Sequence, residues 1–297
     1  MHAAIRVAGQ FVRCLERTHG RPKTQSYRAA INHLLDEGIM FGPEQKRLGE
    51  ARDRRFEIEA SLEPLFADGL ITEVLGLVRK GKEANVYCCR GSRWSGREYV
   101  AAKVYRSLEQ RGFRNDADYQ HGRDRGLYGS AKRALANKSR QGRLVHAGVW
   151  IHSEFETLQL LHAAGANVPE PISCSNSAIL MEFIGADAEA APMVARVEMT
   201  PDESRECLRQ ILENVALWLR CDRIHGDLSV YNVLYRGGGI VAIDFPQAVD
   251  PRFNHNARHL LERDLENVCG HFARAGLHPD ARRIANEMWH RYRVSGL

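Results

Sequence analysis

The stretch IHGDLSVYNVLY, residues 224–235, constrains this chain more than any other part of its sequence. It places the carboxylate of Asp227 and the carboxamide of Asn232 five residues apart, among apolar neighbours. Asp244 follows twelve residues after Asn232, at the end of the apolar run IVAID, which predicts a buried strand ending at Asp244. Asp and Asn often cap turns, so this one spacing would also suit two ordinary turns. Together with His225 and the downstream Asp244, however, it favours a catalytic site.

The spacing of Asp227 and Asn232 matches that of the protein-kinase catalytic loop, in which four residues separate the acid from the amide. Phosphoryl transfer from ATP needs a phosphate-covering loop, a lysine, oxygen ligands for Mg²⁺ and a carboxylate near the acceptor. In this interpretation Asp227 accepts or orients the acceptor proton. Asn232 and Asp244 supply the oxygen ligands for Mg²⁺.

A lysine for the phosphates is found in VAAKVY, which resembles the V-A-I-K strand of kinases. Lys103 lies between apolar neighbours there and needs an anionic partner. Glu154 and Glu156, on the helix predicted next, both compete for that role. We prefer Glu154 because of its position relative to the apolar face of that helix. A surface lysine on an edge strand is the alternative.

The segment RKGKEANVY is the candidate phosphate loop. It contains one glycine, Gly81, where the glycine-rich loop of ordinary kinases has three. Lys82 and the backbone amides around Gly81 are available to hold phosphate oxygens. The segment taken by itself would also suit a plain hairpin.

Hydrophobic periodicity predicts an α+β chain. Alternating β-branched and aromatic residues predict strands around 72–79, 84–90 and 97–105, and PEPISCSNSAILMEFIG predicts two more. Helical periodicity predicts separate helices in 129–146 and 149–165, the second stopped by Gly165, and further helices in 202–222 and 257–297. The expected domains are a helical N-terminal extension (1–60), an N-lobe (61–183) with a flexible basic insertion (106–149), and a truncated C-lobe (184–297).

Basic residues are concentrated between residues 106 and 143, which contain ten lysines and arginines but only four acidic residues. Three aromatic residues, Phe113, Tyr119 and Tyr128, are interleaved with them. This pattern is typical of a surface that binds phosphate-rich partners such as RNA. A solvated loop with the same charge is the alternative.

Composition places the chain among globular proteins of the cytoplasm. It is 44% hydrophobic and 27% charged, and no segment approaches the roughly 20 apolar residues of a membrane span. The N-terminus lacks an apolar signal core, and the seven cysteines show no paired spacing. We therefore expect a cytoplasmic protein without a membrane partner.

The chain resembles the RIO family of atypical protein kinases in three motifs, GKEANVY, HGDLSVYN and IDFPQAV. Together these motifs make the resemblance specific. The basic stretch FRNDADYQHG is also similar to the flexible segment that this family carries. The similarity covers about residues 60–270. It implies a two-lobed, protein-kinase-like fold of the RIO type, serine/threonine kinase or ATPase activity, and ATP with Mg²⁺ or Mn²⁺ as cofactors.

The resemblance also implies a nucleotide site formed by Lys82, Lys103, Glu154, Met181, Glu182 and Ile184. Lys82 and Lys103 would contact the ATP phosphates, and Glu154 would hold Lys103. Met181 would guard the adenine pocket, and the backbones of the last two residues would bind the adenine edge.

The same resemblance implies that Asp227 is the catalytic acid and that Asn232 and Asp244 hold the metal ion. Asp244 is in addition a candidate carrier of an aspartyl phosphate. Val230 stands where the family often has Glu, and residues 1–60 do not show the winged-helix module of the second branch. These features favour the first branch or a bacterial relative.

Three functional hypotheses remain open. The first is a kinase whose substrates include the chain itself. The second is a ribosome- or RNA-associated assembly factor in which ATP controls docking and residues 106–143 contact ribosomal RNA or a ribosomal particle. The third is a small-molecule kinase of the aminoglycoside or choline type, which the GKEANVY loop disfavours.

Overall fold

The computed structural model describes residues 58, 60–106 and 140–295. All of these lie in the second of the two units into which the chain divides, Ile58–Leu297. The predicted helical extension lies almost entirely outside the described residues, and so does the basic insertion between 107 and 139. The last turns before the first strand, residues 60–67, are helical.

Five antiparallel strands form the sheet of the first lobe, in the order β1-β2-β3-β5-β4. The strands predicted from alternation are all present. They are β1 (Ile71–Lys80), β2 (Ala84–Gly91), β3 (Tyr99–Tyr105), β4 (Pro171–Cys174) and β5 (Ala178–Glu182).

The two faces of this sheet pack against different partners, because successive strand residues point to opposite sides. On β3, Val100, Ala102 and Val104 face a small core that includes Leu62 and Leu65 from the helical residues 60–67. The alternate residues Ala101 and Tyr105 belong to the larger core, which also contains buried residues of helices later in the chain. Lys103 has the same parity as these two and therefore points toward the helical side.

Helix α1 (Arg140–Ala163) crosses that side of the sheet. The sequence predicted two helices divided near Gly148, and this prediction was wrong: one helix runs through the glycine. A glycine costs a helix only about 1 kcal/mol, and burial of Trp150 and Ile151, two and three residues later, favours continuation. The helix ends before Gly165, which has a φ of +81° and suits the left-handed turn that follows.

The second lobe is mainly helical. A small hairpin, β6 (Gly185–Ala186) and β7 (Glu189–Ala190), leads into it. Its other elements are α2 (Pro201–Arg220), β8 (Val233–Arg236), β9 (Gly239–Ala242), α3 (Ala257–Arg274) and α4 (Ala281–Ser295).

Local backbone structure accounts for the start of α2 and the end of β9. Thr200 caps α2 in a reciprocal capping box with Glu203, and Pro201 occupies the first turn, where its missing N–H costs nothing. The sequence predicted a strand that continues to Asp244, but β9 ends at Ala242. Asp244 has a φ of +74°, and this left-handed backbone cannot continue a strand.

The architecture is therefore α+β and two-lobed, as the sequence predicted. Among the helices in the described part of the chain, none combines the length and the apolar character that a membrane span requires.

Candidate active site

A cavity of about 740 Å³ lies between the five-stranded sheet and the helical lobe. Eight of the nine residues proposed from the sequence line it: Lys82, Lys103, Glu154, Met181, Glu182, Ile184, Asp227 and Asp244. The ninth, Asn232, is buried beneath the lining. Residues separated by up to 162 positions, from Lys82 to Asp244, are thus brought together at one site.

Lys103 lies between two carboxylates. Its Nζ atom is 2.6 Å from Glu154 Oε1 and 2.7 Å from Asp244 Oδ1. The structure places Glu154 against Lys103, whereas Glu156 is exposed on the other side of α1. Lys103 and Glu154 are both buried, so this ion pair experiences a lower dielectric than a surface pair.

Lys103 and Asp244 stabilise each other's charged form. Burial by itself lowers the pKa of the Lys103 ammonium, but Asp244 and Glu154 outweigh burial and raise that pKa. Burial by itself raises the pKa of the Asp244 carboxyl, but contact with Lys103 holds it below its usual value. At neutral pH the cavity therefore contains a fixed ammonium beside an ionised carboxylate.

Glu154 is held by more than its lysine. The backbone amide of Phe245 donates to Oε1 at 3.1 Å, and the Tyr105 hydroxyl donates to Oε2. Glu154 thereby connects α1, strand β3 and the backbone that follows Asp244. Neither contact was foreseen from the sequence.

Residues 225–228 form a loop that carries Asp227 and is tied to the helical lobe through Asp264 on α3. The two oxygens of Asp264 accept from the backbone amides of Gly226, at 2.8 Å, and Leu228, at 2.9 Å. Asp264 is 1% exposed, and its burial raises its pKa to about 7 against the opposing effect of the two amides. Asp227 lies between the two bonded amides, so its backbone is fixed on both sides.

The side chain of Asp227 itself faces the cavity and is exposed. The surrounding protein nevertheless shields the carboxyl partly from water and so raises its pKa; Arg263 opposes this shift and Asp244 adds to it. A carboxylate with a raised pKa is a stronger base than an ordinary aspartate, which suits a group that accepts a proton.

His225 supports the loop from within the core. Burial lowers its pKa to about 4, so the imidazole is neutral at pH 7. Its Nε2 lies 3.2 Å from the Ile243 carbonyl, and its Nδ1 lies 3.3 Å from the Asp227 amide. The carbonyl needs a donor and the amide needs an acceptor, so the proton is on Nε2. His225 thus joins the loop to the segment that carries Asp244.

Asn232 makes a second connection between the same two segments. Its Nδ2 donates to the Asp227 carbonyl at 3.0 Å, and its backbone carbonyl accepts from the Ile243 amide at 2.9 Å. The side-chain amide nitrogen is thereby turned toward the loop. The other polar atom of the side chain, the Oδ1 oxygen, is the one that can bind a metal ion.

The turn after β1 requires its single glycine. The Gly81 amide donates to the Ala84 carbonyl at 2.9 Å, and a Cβ at position 81 would lie 2.5 Å from that oxygen. The tight turn brings Lys82 to the cavity. Arg79 reaches across the mouth and donates to the Tyr231 carbonyl at 3.3 Å, so the turn is linked to the helical lobe.

The connection between the lobes forms the far wall. Met181 is buried at the end of β5, the Glu182 amide donates to the Glu170 carbonyl at 2.8 Å, and the Ile184 carbonyl accepts from Ala191 at 2.9 Å. These bonds occupy the Glu182 donor and one lone pair of the Ile184 acceptor. The Glu182 carbonyl and the Ile184 amide are the backbone groups here that remain to form hydrogen bonds with a flat ligand.

Asp264 could have been found from the sequence, whereas Tyr105 gives almost no signal. In HLLERDLENV, Asp264 occupies the apolar stripe of α3, between Leu260 and Val268 at helical spacing. An acid in such a stripe indicates a buried partner. Tyr105 is an ordinary strand residue, and only its parity with Lys103 places it on the functional face.

Replacing Asp264 with asparagine is expected to destabilise the fold and displace Asp227. Asparagine keeps one acceptor but presents its NH₂ to the second backbone amide, leaving that amide without a partner at a cost of about 2 kcal/mol. Urea denaturation at pH 7 measures the loss. Glu266→Gln, on the exposed side of the same helix, is the control. Equal free energies of unfolding for the two variants would contradict the anchoring role of Asp264.

Comparison with known proteins identifies the family that the chain resembles. The family model of the RIO domain matches residues 85–284. A RIO-type serine/threonine-protein kinase, Rio1 of Haloferax volcanii, is 32% identical over 222 residues, which are 74% of this chain and 70% of that protein. Rio1 of Methanocaldococcus jannaschii is 30% identical over 247 residues, covering 81% of this chain and 76% of the relative.

The human serine/threonine-protein kinase RIO1 is 29% identical over 255 residues; the match spans 83% of this chain but only 42% of the human protein. Among solved structures, the Rio2 kinase–ADP/Mg²⁺–phosphoaspartate complex from Chaetomium thermophilum superposes with a TM-score of 0.56 at 22% identity. That match covers 76% of this chain and 64% of the other, and it supports the fold.

The sheet-bearing lobe, the helical lobe and the cavity between them define a protein-kinase-like fold, and the relatives place the chain among protein kinases. Within that class, the chain belongs to the RIO family of serine/threonine-protein kinases.

Proposed function

We propose that this chain transfers the γ-phosphoryl group of Mg-ATP to serine or threonine hydroxyls, including its own. The observation that carries the proposal is the placement of Lys103 between Glu154 and Asp244 in a cavity that Asp227 also lines. Phosphoryl transfer depends mainly on positioning and on charge complementary to the phosphates. The cavity supplies both.

The nucleotide would lie with its adenine against Met181 and the connection between the lobes. The Glu182 carbonyl would accept from the adenine amino group, and the Ile184 amide would donate to the ring. Lys82 and Lys103 would bind the phosphates at the opposite end. This orientation directs the γ-phosphate toward Asp227, where an acceptor hydroxyl can approach from the mouth of the cavity.

The donor set fits a magnesium ion. Asp244 contributes carboxylate oxygen and Asn232 contributes amide oxygen, both of which are hard ligands of the kind that Mg²⁺ or Mn²⁺ prefers. Among the described residues no cluster of three or more His, Cys, Asp or Glu side chains forms a metal cage. A site with two protein ligands is typical of Mg²⁺ that is also bound by substrate phosphates. When bound, the ion would neutralise the charge that develops on the phosphates.

Asp227 would take the proton of the acceptor hydroxyl as that oxygen attacks the γ-phosphorus. The bond between phosphorus and the β–γ bridging oxygen breaks, and ADP leaves with the electron pair. Lys103 stays charged throughout and offsets charge on the phosphates, while Glu154 keeps its ammonium in place. Asp264 and His225 hold the backbone of Asp227 during the reaction.

Asp244 is a second acceptor to consider, because the neighbouring Rio2 structure is described as a phosphoaspartate complex. Attack by an Asp244 oxygen on the γ-phosphorus would form an acyl phosphate and release ADP. Water would then hydrolyse it to phosphate, so the chain would act as an ATPase. This chemistry uses the same cavity and differs from kinase action only in the acceptor.

Radiolabel transfer from γ-labelled ATP tests the proposal. Wild type incubated with Mg-ATP should become labelled, and Asp227→Ala should carry no label on serine or threonine. A label that survives acid and is resistant to hydroxylamine indicates phosphoserine or phosphothreonine, whereas a hydroxylamine-labile label indicates the acyl phosphate. Failure of the wild-type chain to transfer or release label under any Mg²⁺ or Mn²⁺ concentration would overturn the proposal.

A role in ribosome maturation is a second candidate, favoured by the ten basic and four acidic residues of 106–143. Most of this segment lies outside the described residues, so the proposal rests on sequence. Phosphate contacts release counterions on binding and make affinity fall as salt rises. Changing Arg133, Lys138 and Arg140 to alanine should weaken binding of ribosomal RNA and flatten that salt dependence.

Filter-binding titrations at several salt concentrations measure this effect, with ADP affinity as the control for an intact nucleotide site. If the triple variant binds ribosomal RNA as tightly as wild type at every salt concentration, these residues do not form the docking surface. The kinase proposal is unaffected by that outcome.

A further inference from the structure

The Tyr105 side chain is buried two residues after Lys103 on β3, and it points to the same side of the sheet. Its hydroxyl donates to Glu154 Oε2. Its ring is also close to the lysine: Lys103 Nζ lies 5.4 Å from the ring centroid. Tyr105 therefore contacts both members of the buried ion pair.

The two oxygens of Glu154 have different partners. Oε1 accepts from Lys103 Nζ at 2.6 Å and from the Phe245 amide at 3.1 Å. Oε2 accepts from Tyr105. Because the two oxygens are held by groups on different segments, the carboxylate cannot rotate without breaking bonds on both sides.

Lys103 has a second partner, Asp244, which is also the proposed metal ligand. When a metal ion and phosphates occupy the cavity, Asp244 must share its oxygens with the ion. Glu154 is then the partner that continues to hold the ammonium. The orientation of Glu154 consequently matters most in the nucleotide-bound state.

We propose that Tyr105 is a positioning residue that orients the Glu154 carboxylate and, through it, aims Lys103 at the nucleotide phosphates. The proposal rests on the proposed function, because it assumes that the cavity binds a nucleotide. Tyr105 itself touches neither substrate nor metal. Its hydroxyl, rather than its ring, carries the effect.

Tyr105→Phe removes the hydroxyl and keeps the ring, so it separates positioning from packing. The matched control is Tyr87→Phe, a buried tyrosine of β2 that belongs to the core on the opposite face of the sheet. Its hydroxyl accepts from Asn85 Nδ2 at 3.4 Å and makes no contact with Glu154. Thermal melting of both variants verifies that each is folded.

The decisive measurement compares binding of ADP with Mg²⁺ and binding of adenosine, by titration calorimetry. Lys103 can act only on a ligand that has phosphates. Tyr105→Phe should weaken ADP binding roughly tenfold, as expected for a lost hydrogen bond to a charged group, while adenosine binding changes by less than about twofold. Tyr87→Phe should leave both affinities at the wild-type value.

A double-mutant cycle tests whether Tyr105 acts through Glu154. In a Glu154→Gln background, Tyr105→Phe should cause little further loss of ADP affinity, because the charged acceptor is already gone. An equal loss in both backgrounds would overturn the proposal, and so would an equal loss of adenosine and ADP binding.

The outcomes also separate this proposal from the function on which it rests. If wild type binds ADP and Tyr105→Phe behaves like Tyr87→Phe, the role of Tyr105 is wrong and the proposed function stands. If wild type and Tyr87→Phe both fail to bind ADP, the proposed function and the role of Tyr105 are overturned together.

Discussion

Lys103→Ala is expected to reduce Mg-dependent ATP turnover by a factor on the order of a thousand or more, because removing one preorganised charge from a transition state commonly costs that much. The ammonium is the positive group that lies between Glu154 and Asp244, and the phosphates approach with several negative charges. Its removal also leaves Glu154 and Asp244 facing each other without a counterion. Turnover is measured as phosphate release from ATP at saturating Mg²⁺.

The same change should lower the free energy of unfolding, by about 3 kcal/mol, because breaking a buried ion pair leaves an uncompensated charge. Turnover must therefore be measured at a temperature where urea denaturation shows the variant to be folded. Arg93→Ala, in the exposed turn between β2 and β3, is the control and should retain wild-type turnover. A folded Lys103→Ala protein with near-normal turnover would remove Lys103 from the proposed phosphate site.

Asp244→Asn is expected to abolish Mg-dependent turnover while leaving the fold nearly intact. Asparagine tolerates the left-handed backbone that Asp244 adopts, and Lys103 keeps its contact with Glu154. The carboxylate charge is nevertheless lost at the place where the metal ion would bind, and we expect a decrease on the order of a thousandfold. Acyl phosphate formation at this position is also impossible in the variant.

Nucleotide binding with and without Mg²⁺ shows whether the loss arises at the metal. Wild type should bind ADP more tightly when Mg²⁺ is present, and Asp244→Asn should lose most of that difference. Asp187→Asn is a close control, since Asp187 is exposed and also has a positive φ, of 51°. Should Asp244→Asn respond to Mg²⁺ as wild type does, the metal ligand would have to be sought elsewhere.

The strands and most helices could be predicted from the sequence because their signals are local. Residue types alternate along β2 and β3 because successive side chains of a strand point to opposite faces of the sheet. This pattern can be recognised without knowledge of any distant residue. The boundary at Gly148 was mispredicted because a weak local preference was outweighed by burial of Trp150 and Ile151. The end of β9 was missed for a similar reason: nothing local announces the positive φ of Asp244.

Some of the cavity residues could be named because kinase chemistry restricts which residue types can serve at each step, whereas those at the adenine end followed only from the resemblance to the RIO family. Lys103, Asp227 and Asp244 stand out as polar groups among apolar neighbours. The choice between Glu154 and Glu156 depended on helix phase, and the structure places Glu154 on the lysine side. Asn232 lies next to the residues that line the cavity and is not one of them. Its spacing from Asp227 in the sequence could not show this difference.

The sequence by itself determined the fold class, the family and the order of the polar groups along the chain, since periodicity and motif spacing are properties of short stretches. Only the tertiary structure decided which groups hold the catalytic loop and Glu154 in place. Asp264 is 36 positions from Leu228, and Tyr105 is 49 from Glu154. Such contacts depend on how helix and strand pack in space. A buried carboxylate must find donors wherever packing brings them, and no local pattern records where that will be.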